Sequence, residues 1–146
     1  RRVQKFYLLE VAQRVAWPGR TVDASIARDG THPVLRKTVN EGGKKASTTF
    51  ESLYFSEFKA AGAKPLETSI LLARPLSGRT HQIRVHAQSI GLPIIGDNFY
   101  GGLAADCLHL LSYRLCFQHP LSRQELDIRV PPELLPGWLD PARLSI

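Results

Sequence analysis

Gly78-Arg79-Thr80-His81-Gln82-Ile83-Arg84-Val85-His86 is the stretch on which the reading of this sequence turns. It follows a break at Pro75-Leu76-Ser77-Gly78 and leads into the clearest helical pattern in the chain. Ile83, Ala87 and Ile90 recur at i, i+4 and i+7, which lines them along one helix face. Thr80 has the chemistry of an N-cap, Gly91 suits the position just past a helix end, and Pro93 forbids continuation. The pattern predicts a helix over residues 80–90, with Arg84 on the side away from the apolar stripe.

Everything around that helix reads as strand. Residues 66–74 are rich in Ile and Leu. Residues 48–58 alternate, anchored by Phe50, Leu53 or Tyr54, and Phe55. Residues 21–27 set Val22, Ala24 and Ile26 against Thr21, Asp23 and Ser25, a half-buried strand. Residues 5–11 are aromatic and apolar enough for another. Residues 28–45 carry Asp29-Gly30, Asn40-Glu41-Gly42-Gly43 and Lys44-Lys45, and are read as a long basic loop. Downstream, residues 108–118 and 124–130 make two more strands, and Pro131-Pro132 starts a short helix ending near Trp138. About six strands joined by turns rather than helices give an α+β class, a mainly antiparallel mixed sheet with flanking helices and long loops. Residues 1–146 form one body with no internal boundary.

Composition bounds the function. With 43% hydrophobic and 22% charged residues in 146, the chain is neither disordered nor fibrous, and it can bury a core without staples. No apolar run is long enough to span a bilayer, so no membrane role is expected. Lys and Arg outnumber Asp and Glu by 19 to 13, for a net charge of +6, a balance compatible with nucleic acid but not diagnostic of it. Cys107 and Cys116 read as buried, reduced cysteines of a cytoplasmic protein. Cys107-x-His109 and Cys116-x-x-His119 depart from structural zinc spacing, and no metal site is expected. The chain has no Met and starts Arg1-Arg2-Val3, without a signal-peptide pattern, so it is expected to be a piece of something longer.

The central stretch is also the densest chemistry. A helix start offers free N–H groups and a positive dipole end to a phosphate, and the Arg79 fork suits the same ligand. Arg84, one turn inside, can be held rigidly by packing, which fits pairing with a carboxylate. His81 and His86 are five apart and share no helix face, against paired metal ligation. The same residues equally fit a capped helix start with scaffold histidines. Tyr7, taken alone, fits core packing.

The stretch, followed by Gly91-Leu92-Pro93-Ile94-Ile95-Gly96-Asp97-x-x-Tyr100-Gly101, closely resembles the RluA-type family of RNA pseudouridine synthases. Lys5-x-Tyr7-Leu8-x-x-Val11, Gly43-Lys44-x-Ala46-x-Thr48-x-Phe50, Leu108-x-Leu110 and His119-Pro120 agree in order and spacing. The resemblance implies an isomerase that turns uridine of ribosomal RNA or tRNA into pseudouridine, without cofactor or metal, on a base flipped into a cleft. An Asp attacks the nucleoside, and the base detaches, rotates and rejoins through carbon. A Tyr stacks on the base and helps remove the C5 proton, while an Arg pairs with the Asp. The resemblance puts the Tyr at Tyr7 and the Arg at Arg84. Ile83 and Val85 become apolar pocket walls or plain core. Arg79, Thr80, His81, Gln82, His86 and Lys44 become RNA contacts, or braces of the turn. RNA is then the partner, and a monomer in the cytoplasm the expected form.

One part of that family's pattern has no counterpart here. Its nucleophile lies in a His-Arg-Leu-Asp motif upstream of the tyrosine strand. Asp23, Asp29, Asp97, Asp106, Asp127 and Asp140 all lack that context. Asp97, in Gly-Asp-x-x-Tyr, is expected to cap a turn. The chain is therefore expected to be the C-terminal portion of a catalytic domain, inactive alone. A non-catalytic RNA-binding protein on the same fold is the alternative, and a basic structural protein of the ribosome a third reading. The residues upstream of Arg1 discriminate between enzyme and binding module.

Overall fold

The computed structural model describes residues 3–146. Eight strands form: β1 (Gln4–Val11), β2 (Arg20–Asp23), β3 (Ser25–Arg28), β4 (Arg36–Val39), β5 (Ser47–Phe58), β6 (Leu66–Pro75), β7 (Leu110–Gln118) and β8 (Glu125–Arg129). One α-helix, α1 (Gln82–Ser89), lies between β6 and β7. The class is α+β, and every strand pair is antiparallel. A six-stranded sheet runs β2-β5-β6-β1-β7-β8, and β3 with β4 makes a separate hairpin.

The central strands are apolar on both sides because the sheet is covered on both. On β1, Tyr7, Leu9 and Val11 join one core, and Phe6 and Leu8 the other. On β6, Leu71 and Ala73 alternate in the same way with Ile70 and Leu72. The first core is closed by Ile83 and Ala87 of α1 with Leu92 and Ile94. The second is closed by the C-terminal segment, through Leu135, Trp138, Leu139, Leu144 and Ile146. Glu10, buried on the second face, accepts Thr68 Oγ1–H at 2.6 Å and lies 2.8 Å from His109 Nδ1, whose ring stacks on Trp138.

Five expectations are corrected. Residues 21–27 are two strands, not one. They part at Ala24, whose carbonyl accepts Nε2–H of His86, and the chain leaves the main sheet for the hairpin. The expected loop 28–45 contains β4. Its apolar pattern is weak, but its pairing is firm, and Gly43 lets the chain close over it. A Cβ at Gly43 would stand 2.5 Å from Val39 Cγ2. The helix starts at Gln82 rather than Thr80, with His81 as cap residue in a left-handed conformation (φ 55°). The expected helix after Pro131 is a single 3₁₀ turn, Pro132–Leu134, with another at Pro141–Arg143. At the other end of α1, Gly91 (φ 77°) closes the helix as expected. Leu92 N–H bonds Ala87 O, and Gly91 N–H bonds Gln88 O. Cys107 is exposed rather than buried, and Cys116 half-buried; both are free thiols.

Candidate active site

The first turn of α1 is built around Gln82. Its Oε1 accepts from Ser77 Oγ (2.7 Å) and from the Arg79 N–H (3.1 Å). Its Nε2 donates to Ser47 O and to Thr48 Oγ1, both at 2.9 Å. A side-chain amide has two donors and one acceptor oxygen, and all of them are used. Thr80 makes no capping hydrogen bond among the described residues; instead the Gln82 side chain reaches back to the Arg79 amide. Thr48 passes the order on, its hydroxyl lying 2.8 Å from His86 Nδ1. Since Thr48 Oγ1 accepts from Gln82, its proton goes to Nδ1, and His86 is neutral with its Nε2–H on Ala24 O. Burial holds the His86 pKa below its ordinary value, consistent with that neutral ring. Gln82 and His86 are buried and spend their side-chain polar groups on bracing the turn, one of the two roles the sequence allowed. His86 is fully buried with both ring nitrogens engaged.

His81, forced left-handed, swings its ring to Tyr100, Nδ1 lying 2.7 Å from the hydroxyl. The Tyr100 oxygen also accepts the Arg36 N–H at 3.0 Å, so it joins the helix start to the β3–β4 hairpin. Burial and then the nearby Arg84 hold the His81 pKa below its ordinary value, while burial pushes the Tyr100 hydroxyl up. A neutral His81 accepting from a protonated Tyr100 satisfies both groups.

Arg84 leaves the same turn and, like His81, lies against Phe99 and Tyr100. Its Nε donates to Asp97 Oδ2 (2.9 Å) and its Nη2 to Asp97 Oδ1 (2.8 Å), a bidentate pair with a fully buried carboxylate. The guanidinium lies 5.3 Å from each of the Phe99 and Tyr100 ring centres. The hydrogen bond Arg84 donates to Asp97 raises the Arg84 pKa further, so its charge is fixed. Asp97 does more than cap its turn, although it does that too, accepting the Phe99 N–H at 3.2 Å. The turn is held by glycine. At Gly96 (φ 85°) a Cβ would fall 1.9 Å from the Cys107 carbonyl oxygen. The sequence reading missed this pair: it gave Arg84 a carboxylate partner outside the chain and Asp97 no partner. Gly96-Asp97 signalled a turn, but not that the turn closes onto Arg84.

Tyr7, Ile83 and Arg84 meet in one cleft of about 300 Å³, with Lys5, His81 and Leu110. Tyr7 sits at an irregularity in the β1–β7 register between Phe6 and Tyr7. Its hydroxyl makes no hydrogen bond within the described residues. Ile83 is both cleft wall and core. Val85 is 1% exposed and does not line the cleft; it takes the core half of its expectation. Lys5, Arg79 and Arg84 give the lining its charge, and no carboxylate lines it. Arg79 and Thr80 also line a second groove with Lys44, outside the cleft. Among the described residues no three His, Cys, Asp or Glu side chains converge on a metal-sized site.

A model of the family described as RNA pseudouridylate synthase matches residues 1–89, which take in the whole of α1 and every cleft residue but Leu110. The chain belongs to that family. Among curated relatives of this pseudouridylate synthase segment is the dual-specificity RNA pseudouridine synthase RluA of Vibrio vulnificus. It is 32% identical, with 98% of this chain and 60% of the relative aligned. The ribosomal large subunit pseudouridine synthase C of Vibrio parahaemolyticus is 33% identical, over 90% of this chain and 41% of the relative. Among solved structures, human RNA pseudouridylate synthase domain containing 1 superposes with a TM-score of 0.76 at 26% identity, covering 94% of this chain and 58% of that one. The chain thus spans about half the length of the relatives it matches.

Proposed function

We propose that this segment carries the base-binding half of an enzyme that isomerises uridine to pseudouridine in structured RNA, ribosomal RNA or tRNA. The observation that carries the reading is the cleft in which Tyr7 and Arg84 converge and no carboxylate does. Arg84 uses Nε and Nη2 on Asp97, and its Nη1 has no partner among the described residues. We assign that edge to the nucleophilic carboxylate, supplied by a segment outside these 146 residues. A fixed guanidinium keeps an acid ionised in a site that excludes water.

The uridine enters flipped out of its stack, with Tyr7 against its face and Ile83 as the apolar wall. Attack by the carboxylate frees the base from the ribose, breaking the N1–C1′ bond. The base rotates and rejoins C1′ through C5, and the new C5–C1′ bond displaces the carboxylate. C5 then loses its proton, and we assign the Tyr7 hydroxyl, unengaged among the described residues, to help remove it. N1 ends protonated, so product and substrate are isomers, and no cofactor or metal enters the balance.

The test is release of tritium from RNA labelled at uridine C5. The full-length protein should release it, and purified residues 1–146 should not. Release by the 146-residue piece would show that the nucleophile lies within it. No release by the full-length protein on ribosomal RNA or tRNA would favour a non-catalytic RNA-binding module on the same fold.

A further inference from the structure

Glu10 is a buried acid that does not line the cleft. It is 1% exposed and His109 6%, and its Oε1 lies 2.8 Å from His109 Nδ1 beneath the C-terminal strap. Thr68 Oγ1–H fills the other carboxylate oxygen. Two aromatic rings hold the imidazole. It lies parallel to the Trp138 indole, with centres 5.1 Å apart, and meets the Phe58 ring edge-to-face at 5.5 Å. A buried acid–base pair is weak evidence for stability, because apolar residues of similar size often serve as well. Its place in the backbone gives it a different use.

Glu10 N–H bonds His109 O at 3.1 Å, His109 N–H bonds Ile95 O at 2.9 Å, and Ile95 N–H bonds Glu10 O at 3.0 Å. The three residues close a ring in which each donates once and accepts once. Ile95 is apolar, so Glu10–His109 is the one polar side-chain bond between members of that ring. The loop that carries Asp97 leaves the ring after Ile95 and returns to it at His109. It has little slack on the way. Gly96 N–H bonds Leu103 O at 2.7 Å, and Gly102 N–H bonds Asp97 O at 2.8 Å. At Gly102 a Cβ would stand 1.9 Å from Ile94 O. In so closely packed a loop a shift of the ring is passed to Asp97, which holds two of the Arg84 nitrogens.

We propose that Glu10 and His109, with Trp138 behind the imidazole, are positioning residues for Arg84. The pair fixes the ring, and the ring sets where Asp97 presents its carboxylate to the guanidinium. Neither residue lines the cleft, so both act through Asp97. The proposal rests on the role given to Arg84 above. It also gives the C-terminal strap, which covers the opposite face of the sheet, a hold on the geometry of the cleft.

The experiment uses the full-length protein and two readouts, single-turnover tritium release and solvent exchange of the Arg84 Nε–H followed by NMR. The Nε–H signal is assigned by its loss in Arg84→Lys. The double variant Glu10→Leu, His109→Phe removes both polar groups together and keeps an aromatic ring against Trp138, so it should fold. Its Arg84 Nε–H should exchange faster, and its rate at saturating RNA should fall about tenfold or more with RNA affinity unchanged. Glu10→Gln can still accept from Thr68 and donate to His109, and should keep both readouts near wild type. Wild-type release and wild-type Nε–H exchange in the double variant overturn the proposal. So does a slower rate with unchanged Nε–H exchange, since the pair then does not act through Arg84. Thr68→Val keeps its shape and withdraws only the hydroxyl that fixes Oε2, so it tests the same link if the double variant does not fold. There too faster Arg84 exchange supports the proposal and unchanged exchange overturns it. A wild-type protein that releases no tritium refutes the isomerase reading, and Nε–H exchange then decides the positioning by itself.

Discussion

Arg84 illustrates how much a single side chain can be asked to do when its neighbours hold it still. Asp97, Phe99 and Tyr100 fix the plane of the guanidinium, and the carboxylate of Asp97 sets its charge. In the full-length protein, Arg84→Ala should abolish turnover. Arg84→Lys should restore little, because an ammonium cannot hold Asp97 with two donors and still offer a third in the same plane. Single-turnover tritium release checks this, and near-normal rates in both variants would refute the role of Arg84. Tyr7→Phe keeps the ring and loses the hydroxyl. Binding of RNA should persist while release from C5 falls by orders of magnitude. At this scale the sequence was partly legible. The family motif singled out Arg84 and Tyr7, but the Arg84–Asp97 pair needs a loop closed by Gly96, and nothing in the spacing of residues 84 and 97 reports that closure.

Elements came through where periodicity was strong and failed where tertiary contacts override it. The edges of β1, β5, β6 and β7 and the glycine end of α1 follow from alternation, apolar runs and a C′ glycine. The break at Ala24 does not, because it depends on a histidine 62 residues away. Nor does β4, which exists by pairing rather than by its own pattern. The start of α1 was misplaced because Gln82, not Thr80, satisfies the turn. Gln82→Ala should strand the Arg79 amide, take the amide donor from Thr48 Oγ1 and cost about 2–3 kcal/mol. Thermal melting of the full-length protein reads this as a Tm lower by several degrees, and an unchanged Tm would contradict it. The histidines of α1 set a pH dependence. His81 and His86 are held neutral, with folded pKa values below 6.5. The unfolded chain therefore binds protons first as pH falls, and stability is lost progressively below about pH 6.5. Melting temperatures between pH 7.5 and 5.5 should decline, and a flat profile would argue against neutral rings.

The whole molecule is a sheet with two different covers, a helix bearing chemistry on one side and a C-terminal strap on the other. The sequence signalled the antiparallel α+β class and the cleft's residues, while the two-sided cover was visible only as unbroken apolar runs such as Ile70-Leu71-Leu72-Ala73. The β3–β4 hairpin was invisible, because Arg28 and Arg36 become neighbours only through its register. The chain Ser77–Gln82–Thr48–His86–Ala24 has a consequence for heredity. Gln and Glu differ by one nucleotide in the genetic code and hardly at all in shape. Yet a carboxylate at residue 82 would turn an oxygen toward the Ser47 carbonyl, where a donor is required. The cheapest mutation at this position is thus closed by hydrogen-bond polarity rather than by size, and lineages carrying this domain should explore new sequences everywhere around this chain before they alter it.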